Sequence, residues 1–244
     1  MSRTATAAVV AVLALAVSAS AHSGPPRPRS NAFQVRFGWF FLEGDGDLWE
    51  TNEEVFTLKA SDFDSFVFGL GFVHSFDNKV ELGGNIDFYS RTVRSSYRDW
   101  VDERGYPIYH DTYLAMTPMT VDVRFLPTGR HRIRAGGRRV LKPVFYVGGG
   151  IGFVLWDYEE YGDFLDFSDD PDDPYIFPAS FRDDGAAFEY HGLMGVELPM
   201  GPASSILFEG RYSKADEKLS GDFEGLGNIE LGGPSIYAGF SFRF

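Results

Sequence analysis

Ser235-Ile-Tyr-Ala-Gly-Phe-Ser-Phe-Arg-Phe244 alternates without a break. Successive side chains of an extended strand point to opposite faces, so Ile236, Ala238, Phe240, Phe242 and Phe244 share one face while Ser235, Tyr237, Gly239, Ser241 and Arg243 share the other. One face is apolar and uncharged, the other polar. Such a strand belongs at a boundary between a greasy phase and a wet one, and which phase meets which face decides the fold.

Seven further segments follow the same grammar: Ala32 to Leu42, Phe63 to His74, Lys79 to Arg91, Thr112 to Leu126, Lys142 to Tyr158, Ala186 to Pro199 and Ser205 to Ser213, with the last running from Gly233 to Phe244. They reach the roughly 9 to 11 residues that a tilted strand needs to cross hydrocarbon. The connections are unequal: 43–62, 92–111, 159–185 and 214–232 are long, 75–78 and 200–204 short, 127–141 intermediate. Long loops on one rim and short turns on the other, with both termini on the short side, are expected of a transmembrane barrel. The spacing predicts an all-β, eight-stranded antiparallel up-and-down transmembrane β-barrel.

The expected outward tracks, among them Phe33-Val35-Phe37-Trp39, Phe66-Phe68-Leu70-Phe72 and Phe145-Val147-Gly149-Ile151-Phe153-Leu155, contain no charge. A Lys or Arg at mid-bilayer on that face costs about 2 to 4 kcal/mol. The opposite tracks carry Arg36, Glu81, Asn85, Asp87, Arg91, Asp122, Arg124, Glu189, His191, Glu197, Glu209, Arg211 and Arg243. Eight strands leave an interior just wide enough for side chains, so these groups are expected to pair with one another and with trapped water as a polar plug. A narrow conduit for ions or small solutes is the alternative. Gly148, Gly150 and Gly152 would make room for long neighbours such as Arg36 or Arg211. Period alone leaves open a soluble barrel with an apolar lumen, which would not explain the sorting of the loops.

Aromatic residues sort by height. Trp39, Phe41, Phe63, Tyr89, Tyr113, Trp156, Tyr158, Tyr190 and Tyr212 fall near the long-loop rim, and Phe76, Phe125, Phe145, Phe242 and Phe244 near the other. Two interfacial girdles are expected from this, although aromatic residues favour strands in any case.

Composition agrees. The 28 glycines and 24 phenylalanines, with no long helical periodicity, lean all-β. Cysteine is absent, which removes disulfides, thiolate metal sites and cysteine nucleophiles together. A net charge of −13 argues against nucleic acid as a partner. Residues 1–21 read as a secretory signal peptide: Arg3, an apolar run from Ala7 to Val17, then Ala19-Ser20-Ala21 before cleavage. Residues 22–31 read as a flexible periplasmic lead-in and 32–244 as the barrel.

With these segments in place, residues 32–244 resemble the small eight-stranded outer-membrane barrels, of the kind formed by the transmembrane domain of outer membrane protein A and by outer membrane proteins W and X. The echoes are Thr117-Pro-Met-Thr-Val-Asp-Val-Arg-Phe-Leu-Pro127, then Lys142-Pro-Val-Phe-Tyr-Val-Gly-Gly-Gly-Ile-Gly-Phe153, and the terminal aromatic. The resemblance implies an integral protein of the bacterial outer membrane, monomeric, with long loops extracellular and both termini periplasmic. It implies that the barrel assembly machinery reads Phe240, Phe242 and Phe244, and that outer-membrane lipids and lipopolysaccharide surround the protein. No cofactor is expected.

Catalysis has little support in the sequence. Lipid-modifying outer-membrane barrels use Ser, His and an acidic partner near the outer rim. Here His74-Ser75 falls at the short-turn end, His191 lacks a serine two residues on, and His110-Asp111 has no assignable serine. Asp169, Asp170, Asp172 and Asp173, and the acidic first loop, could attract a weakly held divalent cation or simply be solvated. Arg130, Arg132, Arg134, Arg138, Arg139 and Lys142 form a basic turn that would lie beside anionic headgroups on the periplasmic side. The function read from the sequence is structural or interactive, carried by the surface loops; a narrow channel is the alternative, and a lipid-modifying enzyme the third.

Overall fold

The computed structural model describes residues 29–130, 132, 133, 139, 140, 142–167 and 174–244. The signal-peptide reading and the aspartates 169, 170, 172 and 173 lie outside the described residues, as do most of the basic turn's side chains. Eight strands form the wall: β1 (Asn31–Phe40), β2 (Ser65–Ser75), β3 (Val80–Val101), β4 (Pro107–Phe125), β5 (Val144–Asp166), β6 (Tyr175–Pro199), β7 (Ser204–Lys218) and β8 (Gly233–Arg243). Each pairs antiparallel with its chain neighbour, and β8 returns to β1 to close the ring. A short strand, Asn228–Glu230, pairs with the upper end of β7.

The register fixes the tilt. Followed sideways from Phe40 through Ser235, Arg211, Leu193, Gly148, Arg124 and Glu81, the ladder arrives at Ser75, whose N–H donates to the carbonyl of Ser30. The circuit is displaced by ten residues, from 40 to 30, and such a stagger tilts the strands by roughly 40° from the barrel axis. Residues far apart in sequence thereby reach the same depth in the lumen.

Across the belt every outward track is uncharged: Phe37, Phe66, Phe88, Val121, Ile151, Phe188, Phe208 and Ile236 are exposed. Tightly coiled walls need small residues inside, and a Cβ on Gly148, Gly150 or Gly152 would strike the carbonyl oxygens of Val123, Val121 and Met119 on β4. Those glycines therefore admit the neighbouring backbone and not, as the sequence suggested, the long arginines. The side chains of Arg36 and Asp87 take the space left at Gly69.

Four strands run well past the bounds read from the sequence, so that most of 92–111 and 159–185 is hairpin arm and not loop. The pattern inverts at the rim. Within the belt apolar residues face out, but in the arms Asp157, Glu159 and Asp163 fall on the outward track of β5 while Trp156, Tyr158 and Phe164 are buried. An apolar-outward template stops matching where water replaces lipid. The helix α1 (Asp47–Val55) and the 3₁₀ turn Ala60–Phe63 fold down from the first loop into the space between the arms.

This inversion corrects half of the upper girdle. Phe63, Tyr89, Trp156 and Tyr158 are buried in the core that α1 covers, with Leu48, Trp49, Phe56, Leu219, Phe223 and Ile229. Trp39, Tyr190 and Tyr212 face outward. At the short-turn rim Phe76, Phe125, Phe145, Phe242 and Phe244 are all exposed.

Candidate functional site: a filled lumen

The lumen is occupied in tiers. At the short-turn mouth, Arg130 reaches in from the β4–β5 turn: its Nε lies 2.6 Å from Glu81 Oε1 and its Nη1 2.7 Å from Glu197 Oε2. Arg243 approaches the same carboxylates at 3.3 and 3.9 Å. Gly129, with φ of 65°, makes this possible, because the left-handed turn lets its N–H donate to Leu126 O while Arg130 N–H donates to Asn78 O. Arg130 is thus buried in the mouth and does not lie at the surface, as was expected of the basic turn.

Above it, Arg36 bridges Asp87 (2.9 Å) and Glu209 (3.1 Å), and Arg211 bridges the same two acids at 3.2 and 3.1 Å. Arg124 pairs with Asp122 at 2.6 Å, stands 3.6 Å from Glu209 and donates to Gln34 Oε1 at 3.2 Å. Tyr146 donates to Glu209, and Asn85 to Asp122. The Tyr237 ring lies under the guanidiniums of both Arg36 and Arg211, and the Tyr146 ring under that of Arg124. Buried charge is tolerable only with such geometry and hydrogen bonding.

Glu189 and His191 form the next tier, 3.2 Å apart but out of hydrogen-bond alignment. A cavity of about 30 Å³ lies beside Glu189, Arg211, Ser213 and Asp87, beneath the apolar residues Phe40, Val67, Met116 and Leu231. It has room for a water, which would satisfy the buried Glu189 Oε2. Arg91 departs from the expectation. It occupies an inward position on β3, but above the end of β2 that side is open, and its Nε donates to Asp62 O at an exposed site.

Over these tiers sits the apolar cap, which holds two polar pairs. Asn52 of α1 donates to Glu160 Oε1 at 2.9 Å, and Tyr158 donates to the same carboxylate. Burial raises the Glu160 pKa against the lowering by Tyr158 and Asn52. Ser95 Oγ lies 3.0 Å from His110 Nε2, a pairing invisible to sequence because the two sit on adjacent arms. Burial pushes His110 down to about 4, with Asp111 opposing. The Phe56 ring covers it at 4.0 Å, and its Nδ1 has no partner.

The four arms make a sheet that rises above the ring, and both of its edges are blunted. On β3, Thr57 N–H donates to Ser96 O and Arg98 Nε to Glu53 O. On β6 above Phe188, where β7 pairing ends, Arg182 N–H donates to Asp222 Oδ2. Even-numbered residues face that edge, so Pro178 falls where its missing N–H removes a pairing donor.

Among the described residues no three acidic or histidine side chains are placed to hold a metal ion, and no helix is long and apolar enough to cross a membrane. The fold defined by these observations is a closed eight-stranded barrel with a lipid-type exterior and a charged interior. No family model and no curated protein sequence matches the chain. Solved structures that resemble it include Ail, the attachment invasion locus protein of Yersinia pestis (12% identity, 89% of this chain and 100% of that one, TM-score 0.44). Others are the outer membrane protein OprG from Pseudomonas aeruginosa (13%, 88% and 97%, 0.49) and Neisserial surface protein A (10%, 88% and 95%, 0.43). These are resemblances of chain path alone.

Proposed function

We propose that this protein is a monomeric integral barrel of the bacterial outer membrane that acts through the surface it presents outside the cell, its lumen serving as structural filling. The long-loop rim is extracellular and the termini are periplasmic. Phe240, Phe242 and Phe244 present the outward aromatic track to the assembly machinery, and lipopolysaccharide packs around the outer rim. The observation that carries the reading is the stacking of Arg130, the Arg36–Glu209 tier and the apolar cap along one axis, with a cavity of about 30 Å³ between the charged tiers and the cap.

Conduction has no support from that arrangement, since a pore needs continuous water and these charges are paired within 4 Å. Catalysis has little: Ser95 and His110 lie buried under Phe56, and no acid orients the ring. The edges of the arm sheet are blunted, so contacts with partners fall on its faces. Planar-bilayer recording of the purified protein tests the proposal. No stepwise conductance is expected at moderate voltage, and sustained ohmic steps would replace this reading with the narrow channel.

A further inference from the structure

The pairing of β5 with β4 ends at Gly162, where φ is 143° and a Cβ would lie 2.7 Å from His110 Cα, so the chain turns there on a residue without a side chain. Past that point Leu165 N–H donates to the Tyr97 hydroxyl at 3.1 Å, and Trp100 meets Phe167 edge to face at 5.4 Å. The tip of the β5–β6 hairpin is thereby fastened to that of the β3–β4 hairpin.

The joined tips present apolar side chains to solvent. Val101 is 58%, Tyr106 65% and Tyr175 70% exposed, and Phe167 is exposed with them. Val101 and Tyr106 flank the β3–β4 turn, where Asp102 N–H donates to Tyr106 O, and Tyr175 stands beside Phe167, opposite Asp166 in register. Trp100 lies twelve residues beyond Phe88 of the belt. At about 3.3 Å per residue and a tilt near 40° it stands roughly 30 Å higher. Hydrocarbon does not reach that height, so these side chains are not a lipid contact. Charge selects what covers them. Residues 98–106 and 163–167 hold five acids and two arginines. That excess opposes an anionic ligand or a second copy of the same tip, whereas a chain with Lys or Arg beside apolar side chains matches both features.

We infer that the joined arm tips form a docking surface for a basic polypeptide, whose apolar side chains cover Val101, Tyr106 and Tyr175 while its cations meet the surrounding acids. The inference deepens the proposal that the protein acts through its outer surface, and rests on it. Contiguous exposed apolar side chains mark interaction sites, and the fastening of one tip to the other reduces the freedom lost on binding. With the sheet edges blunted, side chains and not free backbone groups make the contact.

The test titrates the full folded chain, in neutral detergent, into three labelled octapeptides and reads binding by fluorescence anisotropy against empty micelles. One peptide alternates Lys and Leu, one Lys and Ser, and one Glu and Leu. The Lys–Leu peptide is expected to bind roughly tenfold more tightly than Lys–Ser, and Glu–Leu not to bind. The triple variant V101S/Y106S/Y175S should erase the advantage of Lys–Leu over Lys–Ser, D99N/E103Q should weaken both basic peptides, and L226S, at an exposed leucine of another loop, should change neither. Resistance to unheated dodecyl sulfate confirms that each variant is folded. Equal binding of the two basic peptides, binding of Glu–Leu as tight as that of Lys–Leu, or an unaffected triple variant overturns the inference. So does a dimer of the unmodified protein that the triple variant abolishes, which makes a second copy the occupant. Because binding is read in detergent, its failure counts against this site alone; labelling of E103C on intact cells separately tests whether the tips face outside.

Discussion

Arg130 and Glu197, 67 residues apart in sequence, meet at 2.7 Å inside the mouth of the barrel, where a guanidinium delivered by a turn caps the ion pairs delivered by strands. The contact ties the β4–β5 connection to β6 and β3 at once, since Glu81 accepts from the same group. Removing one partner of a buried pair usually costs about 3 to 5 kcal/mol. Arg130→Ala should lose somewhat less, because Arg243 still reaches both acids. Urea unfolding from micelles should show a lower midpoint for R130A and partial recovery for R130K. No change in R130A would remove the capping role.

Glu209 is the most connected acid of the middle tier, serving Arg36, Arg124, Arg211 and Tyr146. Glu209→Leu leaves three guanidiniums to Asp87 and Asp122. It should destabilise by about 3 to 5 kcal/mol, more than R130A. A midpoint shift smaller than that of R130A would contradict the assigned connectivity.

The cap should respond to pH in two opposed ways. His110 has its folded pKa depressed to about 4 from 6.5, so its stabilising contribution is present above 6.5 and is lost as pH falls through 4. Glu160 has its folded value raised above 4.5, so its contribution is complete below 4.5 and is lost as pH rises through the folded value. The two slopes oppose each other where they overlap, so the protection of α1 against hydrogen exchange is read in variants that keep one titrating group at a time. In E160Q, where His110 alone titrates, α1 protection should fall as pH drops from 6.5 to 4; in H110F, where Glu160 alone titrates, it should fall as pH rises above 4.5, and a flat profile in either single variant would rule out that group's role.

Pro178 and Asp222 guard the upper edge of β6. P178T together with D222A restores two free N–H groups along one edge, which should promote pairing between copies. Light scattering in detergent should show dimers for the double variant and monomers for the parent. A monomeric double variant would mean that other features protect the edge.

Much of this architecture was legible from alternation alone, and the places where legibility ended have physical causes. Phe66, Ile151 and Phe240 could be assigned to the exterior because hydrocarbon excludes charge from an entire track. Tyr158 could not, because above the rim the wet side changes from inside to outside and the same two-residue period carries the opposite meaning. Arg91 obeys the period, but the strand that would have enclosed it stops at Ser65, which a single strand's sequence cannot reveal. Arg130 belongs to no periodic segment. Its only signal was Gly129 just before it, a residue able to take the left-handed turn that sends the next side chain inward. The Ser95–His110 and Asn52–Glu160 pairs depend on the register of arms and helix, and no local motif announces them.

The account depends most on which stripe of the wall meets lipid. A charged substitution gives an indirect reading: Ile151→Arg on the outward belt of β5 should cost about 2 to 4 kcal/mol, whereas arginine at outward Tyr161 on the arm should cost little. The tryptophans give a direct one. Trp39 is 44% exposed on the belt, while Trp156 is 4% exposed inside the cap. Single-tryptophan variants that keep only Trp39 or only Trp156, reconstituted in bilayers of brominated lipid, should show strong quenching of Trp39 and little of Trp156. Quenching of Trp156 with Trp39 left bright would mean that the wall is inside out with respect to this account.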